Sequence, residues 1–124
     1  MVQPLKESKL VFLISQPRSG STLLQKLLSQ NSQIYTQSEP WLMLHPAYSL
    51  KATGIYAEYN KEFEKKAFKG FIDNLPSGGR EVYIKRIQSL YLSLYGDYLK
   101  DTGKPFFLDK TPRYYFIWKE LREI

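Results

Sequence analysis

A continuous apolar run, Leu10-Val11-Phe12-Leu13-Ile14, stands between Lys9 and Ser15. A strand with one wet face would alternate apolar and polar residues, so an unbroken and partly β-branched run suits a parallel-sheet strand covered on both faces. The run is therefore expected to be a central strand. The chain turns at Pro17-Arg18-Ser19-Gly20, and Leu23, Leu24, Leu27 and Leu28 then recur at helical spacing, which predicts a helix from about Ser21 to Gln30. Strand, glycine-containing turn and helix, in that order, commit the start of the chain to an α/β architecture.

The remaining sequence extends the pattern. Ile34-Tyr35-Thr36-Gln37 is a short second strand, whereas Glu39 to Leu50, rich in Trp41, Leu42, Met43 and Leu44, has Pro40 and Pro46 to limit any helix. From Lys61 to Ile72, Phe63, Ala67, Phe68, Phe71 and Ile72 form one apolar stripe, with Lys61, Glu62, Lys65, Lys66 and Lys69 facing outward. After the turn cluster Leu75 to Gly79, the longest helix carries Val82, Ile87, Leu90, Tyr91, Leu94 and Tyr98 and stops before Gly103. Phe106-Phe107-Leu108 is a third strand. Thr111 is placed to cap a last helix with Pro112 at its first position, its buried face filled by Tyr114, Tyr115, Trp118 and Leu121. Alternating strands and helices imply a partial three-layer αβα sandwich on a parallel sheet with right-handed crossovers. The last helix has no cap, glycine or following strand after Ile124, so the sequence predicts a truncated single domain over residues 1–124.

Composition narrows the function. A chain of 124 residues, 43% hydrophobic and 15% aromatic, supports one core. With no cysteine and one histidine, His45, thiolate metal sites and histidine clusters are excluded, and no metal is expected. A formal charge of +6 favours an anionic partner, but basic and acidic residues are interleaved without the long basic run of a nucleic-acid tail. No nucleic-acid partner is expected. No apolar stretch approaches the roughly 20 residues of a membrane span, and Met1 to Lys9 shows no secretory pattern, which predicts a soluble, cytoplasmic chain.

The chemistry lies in the turn. A loop that passes from a buried strand directly into a helix aims its backbone N–H groups at one point, where the helix N-terminus favours an anion. Gly20 lets the backbone come close, Ser19, Ser21 and Thr22 add hydroxyl donors, and Arg18 offers a planar fork for two oxygens of a phosphate or sulfate. A triphosphate-binding loop would place Lys after its second glycine; here Ser21 follows Gly20, which argues against ATP or GTP hydrolysis.

Pro17-Arg18-Ser19-Gly20-Ser21-Thr22-Leu23-Leu24 resembles the 5′-phosphosulfate loop of sulfotransferases that use 3′-phosphoadenosine 5′-phosphosulfate, in the version found in tyrosylprotein sulfotransferases and many bacterial relatives. Ser38-Glu39-Pro40 and Leu108-Asp109-Lys110-Thr111-Pro112-Arg113 follow in the family's order and approximate spacing. The resemblance implies the family's fold, which is like that of the P-loop NTPases, and a sulfuryl transfer to a small-molecule, sugar or peptide hydroxyl. It also implies that Pro17, Arg18, Ser19, Gly20, Ser21, Thr22 and Leu23 hold the donor. Glu39 would be the general base, and Lys110, with Arg18, would stabilise charge developing on the transferred group.

Each role has a plainer counterpart: a helix-terminal charge for Glu39, a solvated strand-end lysine for Lys110, and a simple strand-to-helix turn for the loop. Asp109 is expected to pair with a neighbouring cation or to cap the following turn, and His45 to be a half-exposed structural histidine. The family's 3′-phosphate motif, an Arg and later a Ser after another strand, is absent from these residues. An inactive or weakly active chain, completed by a second chain, is the corresponding expectation. Two other readings share the loop: a nucleotide or small-molecule kinase, and a passive phosphate-binding module.

Overall fold

The computed structural model describes residues 6, 9–51, 53, 54, 56, 58 and 60–124, so most of the charged start from Met1 to Lys9 lies outside the described residues. Three strands, β1 (Leu10–Phe12), β2 (Ile34–Thr36) and β3 (Phe106–Asp109), make one parallel sheet in the order β1-β3-β2. Helices α1 (Ser21–Leu28), α2 (Leu44–Leu50), α3 (Lys61–Asp73), α4 (Gly79–Lys100) and α5 (Trp118–Leu121) surround it. The α/β architecture is thus as the sequence implies.

The alternation of a strand sorts the two faces. Phe107 packs edge-on against Tyr35, Tyr95 and Tyr98, which puts α4 on its side of the sheet. Leu108 points the other way, sharing a cavity with Val11, Ile34 and Leu28 of α1. Helices therefore cover opposite faces. On the α4 side, Phe12 meets Tyr95 and Tyr114 edge-on, and Met43, Leu44, Ala47, Leu99, Ile117 and Leu121 complete the core.

Several expectations are corrected. Leu10–Ile14 does not run through the middle of the sheet: β3 is central, and β1 pairs with it alone among the described residues, leaving Val11 and Ile14 exposed. A continuous apolar run reports that the faces of a strand are apolar, and carries no information on its place in the sheet. The helix over 61–73 is present, started by Asn60, whose Oδ1 accepts from the N–H groups of Glu62 and Phe63. Its apolar stripe is buried only in part: Ile72 is enclosed and Phe68 packs edge-on against Tyr83 of α4, while Phe63 is 73% and Phe71 70% exposed.

Pro46 does not prevent α2. It occupies the helix's first turn, where a proline's missing N–H has no intrahelical acceptor to forgo. Thr111 does precede a 3₁₀ turn, Pro112–Phe116, with Pro112 at its start, but its hydroxyl caps nothing, because Asp109 engages it. On the segment that follows, Tyr114 and Leu121 are buried as expected, whereas Trp118 is exposed and Ile117 fills the core in its place. Among the described residues, no helix is long and apolar enough to cross a membrane.

Candidate functional site

Asp109 and Lys110 are neighbours in sequence and go to opposite faces of the sheet. Lys110 turns toward α1 and is 2% exposed, its Nζ 2.8 Å from Glu39 Oε1 and 3.3 Å from Thr22 Oγ1. A lysine this deeply enclosed requires a carboxylate partner, and Glu39 supplies it from the turn after β2. Pro40 restricts Glu39 to extended backbone, which carries its carboxylate out from the end of the strand. Glu39 is itself partly open to solvent, so its carboxylate is held from one side and reachable from the other.

Three residues named from the sequence, Thr22, Glu39 and Lys110, therefore meet at the ends of α1, β2 and β3. The rest of the loop lies at the surface: Pro17, Arg18, Ser19 and Gly20 are exposed, and Ser21 is buried at the first turn of α1. Arg18 and Gly20 both take left-handed backbone, at φ 65° and 82°. The Gly20 carbonyl accepts from the N–H groups of Leu23 and Leu24, closing the first turn, while those of Ser21 and Thr22 have no acceptor within the helix. Leu23 is exposed and its N–H is taken up by the Gly20 carbonyl, so it offers the site no free donor. His45 is exposed at the start of α2.

Asp109 behaves differently from expectation. Among the described residues it pairs with no cation and does not cap the next turn; it is enclosed on the α4 side with three hydroxyl donors around it. Tyr95 and Tyr114 donate to Oδ2 at 2.6 and 2.8 Å, and Thr111 to Oδ1 at 3.1 Å. Burial pushes the Asp109 carboxyl above its ordinary range, against the downward pull of the three donors. Burial, and then the charge of Asp109, raises both tyrosines, which keeps them protonated as donors. Tyr114 Oη also accepts from the Met43 N–H, and Thr111 Oγ1 from that of Trp41, so the network ties the segment after Glu39 to the end of β3.

Sequence reasoning missed this network and also Gln25, which α1 buries together with Ser21. Ser21 and Gln25, polar and four residues apart on one face of a leucine-rich helix, were the available signal. Chemically, the site presents an ammonium, a carboxylate, a hydroxyl and the donor end of a helix, a set suited to an oxyanion beside a group that must lose a proton. Among the described residues, no group of His, Cys, Asp or Glu could hold a metal ion.

The model of the family described as "Sulfotransferase family" matches residues 11–124. The nodulation protein NoeE of Sinorhizobium fredii (strain NBRC 101917 / NGR234) is 33% identical over 119 residues, covering 91% of this chain and 25% of that protein. The chain thus spans about a quarter of the length of the curated relative it matches. No solved structure matches.

Proposed function

Because this chain belongs to the sulfotransferase family, we propose that it carries the 5′-phosphosulfate end of a site that transfers a sulfuryl group from 3′-phosphoadenosine 5′-phosphosulfate to a hydroxyl acceptor. The contact of Lys110 with both Glu39 and Thr22 supports this reading most directly. When bound, the donor supplies an activated sulfuryl group: the acceptor oxygen bonds to sulfur, the sulfur–oxygen bond to the 5′-phosphate breaks with its electron pair leaving on the phosphate, and the acceptor proton passes to Glu39.

The residues of the chain fit those demands. Arg18, Ser19, Gly20, Ser21 and Thr22 would hold the phosphosulfate through hydroxyl groups, the guanidinium and N–H groups that the helix leaves unused. Lys110 stabilises negative charge as it develops, from a nearly dry position where a cation acts more strongly than in water. Glu39 Oε2 makes no hydrogen bond among the described residues, whereas Oε1 is held by Lys110, so one carboxylate oxygen is available to the acceptor.

Calorimetric titration of adenosine 3′,5′-bisphosphate tests the reading. Saturable binding is expected, preferred over magnesium ATP and weakened about tenfold or more in Arg18→Ala by loss of a charge-assisted contact. Preference for magnesium ATP would favour a kinase. Equal, salt-sensitive binding of any polyanion would favour a passive anion module.

A further inference from the structure

The three elements that carry Thr22, Glu39 and Lys110 are joined just behind the site by a short polar relay. Gln25 Nε2 donates to Thr36 Oγ1 at 2.7 Å and to the Gln37 carbonyl at 2.9 Å, and Thr36 Oγ1 donates to the Leu108 carbonyl at 2.7 Å. The directions are forced. A carbonyl can only accept, so the amide nitrogen of Gln25 must face Gln37; the single Thr36 proton goes to Leu108, which leaves the hydroxyl a lone pair for Gln25. Both donors of the Gln25 amide are used, and the Thr36 hydroxyl is engaged both as donor and as acceptor.

We propose that Gln25 and Thr36 are positioning residues that hold Glu39 and Lys110 in register with the loop at the start of α1. The functional meaning of that register rests on the sulfuryl-transfer reading; the register itself does not. Each link stands two or three residues from a site group: Gln25 from Thr22 on α1, Gln37 from Glu39 after β2, and Leu108 from Lys110 at the end of β3. The relay also ties α1 to the sheet at this end, beside the contact of Lys110 with Thr22. The helix buries Ser21 and Gln25, while Leu23, Leu24 and Leu27 are exposed, so apolar packing does not fix how far α1 slides along β2 and β3. Directional bonds in a partly buried setting fix that distance, and a shift of about 1 Å is enough to misplace reacting groups.

The test is nuclear Overhauser contact between the Lys110 ε-methylene and the Glu39 γ-methylene in the unliganded chain, compared among three variants. Thr36→Val replaces the hydroxyl with a methyl, Gln25→Met keeps length without donors, and Thr36→Ser restores the hydroxyl. Loss of the contact in Thr36→Val and Gln25→Met is expected, with the methyl signals of Ile117 and Leu121 unmoved, and Thr36→Ser should retain it. Wild-type contact in either folded variant overturns the proposal. Unfolding of both, with Thr36→Ser folded, overturns it equally, because the relay would then support the whole fold and not the site. Failure to bind adenosine 3′,5′-bisphosphate would count against the proposed function and leave this measurement untouched.

Discussion

Asp109 is a carboxyl enclosed by two phenols and a threonine, and its burial has a measurable sign. In the folded chain it binds its proton more tightly than in the unfolded chain, since burial outweighs the three hydroxyl donors. Its contribution to stability is therefore full below the ordinary carboxylate range and is lost as pH rises through its elevated folded value. Thermal melting of wild type and Asp109→Asn from about pH 3 to pH 7 should show the difference, wild type minus variant, falling steadily with pH. A difference that rises would mean that the hydroxyl donors dominate instead. Glu39 and Lys110 were legible because they stand in short local motifs. The partners of Asp109 were not, because Tyr95 and Tyr114 come from the helix before β3 and the turn beyond it, and no sequence spacing records that they point at one oxygen.

The loop between β1 and α1 holds two residues in left-handed backbone, and only one of them is glycine. For Arg18 this conformation costs on the order of 1 kcal/mol, because its Cβ crowds the following carbonyl. Arg18→Gly is expected to raise stability by up to about 1 kcal/mol in urea unfolding while weakening adenosine 3′,5′-bisphosphate binding. A drop in stability would show that the arginine side chain supports the loop by contacts that outweigh its strain. The strand, turn and helix themselves could be read directly, since each depends on residues close in sequence. In α3, by contrast, periodicity identified the helix but not how much of its stripe is buried: Phe68 and Ile72 are covered, whereas Phe63 and Phe71 stay exposed. An apolar stripe states what a helix could bury; tertiary packing decides what it does.

At the scale of the molecule, one exposed apolar surface lies on the α1 side of the sheet, where Leu23 is 64% and Leu27 62% exposed alongside Leu24 and Val11. A patch of this kind promotes association. Sedimentation velocity is expected to show concentration-dependent self-association of the isolated chain, suppressed in Leu23→Lys/Leu27→Lys, with the melting temperature little changed because neither side chain is packed. A monodisperse wild type would mean that the patch is too dispersed to adhere. The edge position of β1 belongs to this scale as well, and a strand's own residues do not encode which neighbours it acquires. The order β1-β3-β2 also governs when this protein can exist. Of the three described strands the middle one is made after the other two, and those two pair with it and not with each other. Among the described strands no hairpin can act as a local seed, so each of these pairings waits on a long-range closure of the kind that slows folding. Lys110 arrives on that same strand, which makes docking of β3 at once the step that joins these three strands and the moment at which Glu39 and Thr22 acquire their shared cation.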